Sequence, residues 1–138
     1  MIYLLSPVQD SMPSKAGRNV RLAAMAAATL SNAGKAVYSD ALYEAMAGIH
    51  ITEFGRCKQI EDMLGEASHV YLLPLAGWRY DKHLNKVLSI AEDMEKPLFY
   101  VFPKCITSGY SPIQPHNFKV RVTTPAYELW VGERGGVL

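Results

Sequence analysis

Short apolar runs alternate with helix-like stretches along the first three quarters of the chain. Ile2-Tyr3-Leu4-Leu5 opens the sequence and is stopped by Ser6-Pro7, which predicts a buried strand that runs into a loop. Val20, Ala23, Ala24, Ala27 and Leu30 recur at helical spacing across Arg18–Ala33, and Gly34 closes that helix. Ala36-Val37-Tyr38 is the second strand. Ser39-Asp40 then forms the N-cap region of a short helix through Ala47. Thr52 caps a third helix that ends near Ala67, with Ile60, Met63 and Leu64 on its apolar face. His69–Leu73 is apolar on both faces, as a central parallel strand is. Asp81 precedes a helix over Lys82–Glu95 whose apolar positions are Leu84, Val87, Leu88, Ala91 and Met94. Lys96-Pro97 stops it before a fourth strand, Leu98–Phe102.

Strands alternating with helices predict an α/β fold, a Rossmann-like three-layer sandwich with a mainly parallel sheet. After Pro103 the rhythm changes. Turn-rich segments are followed by Phe118–Thr123 and Tyr127–Val131, which suit a hairpin or a strand added to the sheet. The expectation is one domain over 1–138, with a core of about 1–102 and a C-terminal extension of about 103–138.

Composition narrows the function classes. With 138 residues the chain is long enough to bury a core without metals or disulfides. The formal net charge of +1 offers no electrostatic case for binding nucleic acid or a membrane surface. Cys57 and Cys105 are too few and too far apart for a disulfide framework or a zinc site. His50, His69, His83 and His116 are scattered without i, i+4 pairing, so no metal is expected, and no P-loop or GxGxxG suggests a cofactor. Met1–Leu5 lacks a basic signal-peptide region, and no apolar run approaches the ~20 residues of a membrane span. A cytoplasmic setting fits.

The stretch from Ile60 to Val101 organises the rest: helix, buried strand, a Pro74-Leu75-Ala76-Gly77-Trp78 loop, helix, buried strand. A loop that leaves the C-terminal end of a parallel strand and opens a helix is the usual place for a small-molecule site. Together with the N-terminal IYLLSP and RNVRLAAMAAATLSNAGKAVYS, this stretch resembles the nucleoside 2-deoxyribosyltransferase-like superfamily over roughly residues 1–102. That superfamily includes deoxyribosyltransferases, nucleotide N-glycosidases and many small phage and bacterial proteins. The resemblance implies transfer or hydrolysis at the N-glycosidic bond of a nucleoside or nucleotide, no cofactor, and a homodimer.

It also implies site residues. Tyr3 matches the family's active-site tyrosine. Asp62 resembles the Asp that contacts the base, and Ser68 or His69 stands where a second Asp is usual at the start of strand three. Ser6, at the end of strand one, lies on the ligand-carrying edge. Gly77 permits close backbone approach, and Trp78 suits stacking on a base. The family's nucleophilic Glu, four residues before an Ala in the following helix, corresponds to Val87, which can supply no carboxylate.

Cleaving an N-glycosidic bond passes through an oxocarbenium-like sugar, which needs a carboxylate and an acid for the departing base. With Val87 unable to serve, Asp81 is the candidate for a relocated carboxylate. Its charge at a helix N-terminus disfavours a 5′-phosphate and favours a neutral nucleoside or base. His69 is a candidate proton donor. Each of these residues also has a plain structural reading: Tyr3 and Trp78 as core aromatics, Asp62 as a solvated carboxylate, Asp81 as an N-cap. The other function class is therefore a catalytically degenerate relative that binds a nucleoside-like ligand or a protein partner.

Overall fold

The structure is a computed structural model that describes residues 1–8, 16–103, 119–124 and 127–133. Its elements are β1 (Ile2–Leu5), α1 (Ala16–Asn32), β2 (Val37–Ser39), α2 (Asp40–Ala47), α3 (Glu53–Glu66), β3 (His69–Leu72), a 3-10 turn (Trp78–Tyr80), α4 (Lys82–Asp93), β4 (Leu98–Pro103), β5 (Lys119–Thr124) and β6 (Tyr127–Glu133). The sheet order is β2-β1-β3-β4-β6-β5. The first four strands are mutually parallel, and the β5–β6 hairpin joins β4 through antiparallel β6. The fold is the α/β, mainly parallel sheet that the alternating pattern predicts. Among the described residues, no helix is long and apolar enough to cross a membrane.

Period-two alternation sorts the sheet into two cores. Tyr3, Leu5, Val70, Leu72 and Tyr100 face α3 and α4, where they meet Ile60, Leu64, Leu84, Val87, Leu88 and Ala91. Ile2, Leu4, Tyr71, Leu73 and Val101 face α1 through Leu22, Ala26 and Leu30. Helices on both faces make the three layers, with the strongly apolar β3 between β1 and β4.

Local signals hold closely. The Ser39 hydroxyl accepts from Leu42 N (3.4 Å), Thr52 Oγ1 from Gly55 N (3.0 Å) and Asp81 Oδ1 from Leu84 N (2.9 Å), which caps α2, α3 and α4 in turn. Gly34 has φ 84°, a left-handed value that suits glycine after a helix end. The buried face of α1 differs from the expected one. It runs through Asn19, Leu22, Ala23, Ala26 and Leu30, while Ala24 is exposed. In an alanine-rich run the small residues carry no contrast, so the two leucines and the tether from Asn19 Nδ2 to Ala76 O (3.2 Å) set the rotation.

Candidate functional site

In an open parallel sheet, ligands bind outside the carboxyl ends of the strands, near the point where the strand order reverses. Here that point lies between β1 and β3, and because the strands are parallel, β2, β1, β3 and β4 all start on the opposite edge. Residues that directly follow a strand therefore face the ligand edge. Residues at a strand start do not.

A cleft of about 590 Å³ opens at the ligand edge. Val8 after β1, Glu44 on α2, Glu53 and Arg56 at the start of α3, and Tyr80 to His83 at the start of α4 form its walls. Beneath it, His83 Nε2 lies 3.0 Å from Asp40 Oδ2, and the Tyr3 hydroxyl donates to the same oxygen at 3.4 Å. Asp40 is the first residue of α2, directly after β2, which carries its carboxylate under the edge. His83 comes from the first turn of α4, whose orientation the Asp81 cap holds.

The electrostatics of this cluster are uneven. Full burial pushes the Asp40 carboxyl above its usual range, against the pull of His83, Tyr3 and the Ser6 backbone N–H. The hydrogen bond to Asp40 raises the His83 imidazolium, with burial opposing and the charges of Asp40, Glu44 and Asp81 assisting. The Tyr3 hydroxyl is raised, by burial first and by Asp40 second, so it remains a donor. Both members of the Asp40–His83 pair thus bind a proton more tightly in the folded chain than in the unfolded one.

That sets a direction for stability. A raised folded pKa stabilises below the unfolded value and loses that contribution as pH rises through the folded value. The His83 shift depends on the Asp40 charge and falls nearest neutrality, so it sets the direction there. Melting temperature is expected to be highest in mildly acidic buffer and to decline through neutrality. His83→Gln is expected to flatten the decline above pH ~6.5, the ordinary histidine midpoint. A calorimetric pH series checks both, and a decline of unchanged steepness in the variant contradicts the assignment.

The cleft's cations are largely spoken for. Arg56 bonds Glu44 through Nε (3.0 Å) and Nη2 (2.9 Å), Glu53 through Nη1 (2.9 Å), and the Gly48 carbonyl (3.0 Å), which ties α2 to α3. Lys86 pairs with Glu53 at 3.1 Å. Lys82 makes no ion pair among the described residues. Asp81 lines the cleft, and its Oδ2 carries no hydrogen bond among the described residues.

The other residues singled out from the sequence are placed differently. Tyr3 is wholly buried and touches Asp40 rather than the cleft. Ser6 is on the ligand edge but wholly buried, and its Oγ lacks a partner among the described residues. Gly77 has φ 87° and opens the 3-10 turn. Trp78 packs edge-on to Tyr100, with ring centroids 6.3 Å apart and Arg79 over its face, so it belongs to the α4-side core.

Ser68 and His69 lie at the opposite edge. Ser68 bonds Met1 O (3.1 Å) and His69 Nδ1 (2.8 Å). Burial, the N-terminal amino group and Lys35 lower the His69 pKa, so its ring is neutral and unsuited to donating a proton. Asp62 is exposed and pairs with Lys58 at 2.9 Å. It stands ~13 Å along α3 from Glu53, away from the ligand edge. Asp62→Ala is expected to change stability by less than ~0.5 kcal/mol and to leave ligand binding unaltered, as denaturant unfolding and a thermal-shift titration will show. Val87 is 0 % exposed in the core under β1, β3 and β4.

Asp40 and His83 are the pair at the cleft that sequence reasoning missed. The signal was available: a carboxylate directly after strand two lands on the ligand edge, and so does a histidine in the first turn of the helix after the Gly-Trp loop. Among the described residues, no group of three or more His, Cys, Asp or Glu side chains is arranged to hold a metal. Together these features define an α/β protein with a proton-holding His–Asp pair beneath an open cleft. Comparison with protein-family models, curated proteins and solved structures found no match.

Proposed function

We propose that the chain is a nucleoside 2-deoxyribosyltransferase-like protein that binds a neutral nucleoside in the cleft and cleaves its N-glycosidic bond. The observation that carries this reading is His83, held by Asp40 beneath the cleft with its proton affinity raised. With Nε2 committed to Asp40, Nδ1 is the ring nitrogen left for a ligand.

The chemistry follows from those positions. The C1′–N bond breaks, its electron pair goes to the departing base, and the His83 Nδ1 proton neutralises that base. The Asp81 carboxylate balances the oxocarbenium-like sugar. Water adds at C1′ and gives its proton to the now neutral His83, which leaves free sugar, free base and the imidazolium restored. In transfer, an acceptor base takes the place of water. Arg56 and Lys86 are paired, and the Asp81 carboxylate stands in the same cleft as Lys82, which is unpaired among the described residues. The carboxylates thus match these cations in number, which fits a neutral nucleoside better than a monophosphate. The homodimer implied by the resemblance belongs to this proposal, and a light-scattering mass of one chain at tens of micromolar would remove it.

The test is incubation of the pure protein with deoxyribonucleosides, ribonucleosides and their monophosphates, followed by chromatography for free base. Base release from a nucleoside, lost on Asp81→Ala, is the expected result. A second reading, a degenerate relative that binds without reacting, draws on buried Val87 and on an Asp40 carboxylate closed off from the cleft. No release from any substrate, with or without acceptor base, combined with a nucleoside-dependent rise in melting temperature, selects it.

A further inference from the structure

Cys57 is half-buried in the second turn of α3, between two charged side chains. Lys86 Nζ, from the second turn of α4, donates to its Sγ at 2.9 Å. Lys86 also donates to Glu53 Oε1 at 3.1 Å, and the Cys57 thiol reaches the same oxygen at 3.7 Å. The contact between sulfur and amine spans 29 residues of sequence and joins α3 to α4, both of which wall the cleft. Cys57 is therefore not an isolated thiol: a sulfur and a primary amine stand within reach of each other.

Each group prepares the other. The thiolate is the nucleophilic form of cysteine, and a neighbouring ammonium favours it. The hydrogen bonds to Cys57 and Glu53 raise the Lys86 ammonium above the ordinary lysine range, so Lys86 enters a reaction as an acid. Cysteine oxidised to sulfenic acid condenses with a nearby thiol or nitrogen. Among the described residues, the side-chain nitrogen in contact with Sγ is Lys86 Nζ.

We propose that Cys57 and Lys86 form a modification site at which hydrogen peroxide joins them through a covalent Sγ–Nζ bond. The thiol loses its proton to solvent, and the thiolate attacks one peroxide oxygen. The O–O bond breaks, sulfur is oxidised to sulfenic acid, and peroxide is reduced. The departing hydroxide takes a proton from the Lys86 ammonium and leaves as water. The amine so freed attacks the sulfenic sulfur. The S–O bond breaks, the hydroxyl departs with one amine proton as a second water, and a sulfenamide remains. The link fixes the spacing of α3 and α4 beside the cleft and withdraws the Lys86 charge from Glu53. It rests on the contacts of Cys57, Lys86 and Glu53, not on what the cleft binds.

The test is mass spectrometry after peroxide treatment, and it needs no substrate. Cys105→Ser leaves Cys57 as the sole thiol of the chain, so an internal disulfide cannot form. The expected result in this variant is a single-chain mass lower by two hydrogens, restored by dithiothreitol. Peptide mapping is expected to place the link between Cys57 and Lys86, in the variant and equally in the oxidised wild type, where no substitution is needed. Adding Lys86→Arg keeps the positive charge beside Glu53 but removes the primary amine. Oxidation is then expected to stop at sulfenic or sulfinic acid, read as added oxygen. Oxygen gain alone with Lys86 present, or an unchanged mass, overturns the proposal. So does a loss of two hydrogens that survives Lys86→Arg, because the bond then lies on another nitrogen.

Discussion

Replacing His83 with alanine is expected to lower base release by at least ~10²-fold while leaving the fold intact, in line with what positioned acid–base groups contribute. The ring lines the cleft with its side chain 22 % exposed, so its removal opens space towards solvent rather than a void in the core. Its bond to Asp40 spans 43 residues and joins α2 to α4. The cost to stability is therefore modest, and circular dichroism will show retained structure. Without the ring, Asp40 loses the strongest of the groups that hold it ionised and takes up a proton instead. The variant then carries no proton donor where the base departs. A release rate within a few-fold of wild type would remove His83 from the mechanism. Added imidazole that partly restores the rate would support a role in proton transfer.

The second large effect concerns the position to which the family resemblance assigns a nucleophile. Val87→Glu is expected to destabilise the protein by ~3–5 kcal/mol, the cost of an uncompensated charge in a packed interior. Val87 shares its cluster with Tyr3, Leu72, Leu84 and Tyr100, and none of these offers a cationic partner. A glutamate there would be held above its usual pKa by burial. The penalty is therefore smaller in acid, where the group is neutral, and grows as pH rises through the raised value. Urea unfolding at acidic and alkaline pH measures both the size and the sign. A folded variant of ordinary stability that releases base faster than wild type would show instead that position 87 reaches the cleft.

The two experiments separate two ways in which a carboxylate could serve this site. A family-like enzyme would use a carboxylate on the face of α4 at position 87. Here that face is spent on packing: Leu84, Val87, Leu88 and Ala91 are all buried against the sheet. Among the described residues, the acidic groups that remain near the ligand edge are Asp40, held beneath it, and Glu44, Glu53 and Asp81 around it. Of those around the cleft, Glu44 and Glu53 are committed to Arg56, which leaves Asp81 as the exposed one with a spare oxygen among the described residues.

The sequence by itself determined the element order, the parallel sheet and the helix caps. The caps depend on neighbours three residues away: Ser39 with Leu42, Thr52 with Gly55, Asp81 with Leu84. It also determined that α4 buries Val87, because size and polarity contrast sharply along that helix. Along α1 they do not, and only packing of Leu22 and Leu30 against β1 and β3 decided which alanines face inward. Tertiary structure alone decided the site. Asp62, Ser68 and His69 are close in sequence to β3, yet chain direction puts them at its amino end, while Asp40 and His83, from different helices, meet at the carboxyl end. The physical reason is that a strand's direction and the strand order across the sheet select which edge a residue reaches, and that selection is made by pairings between segments tens of residues apart.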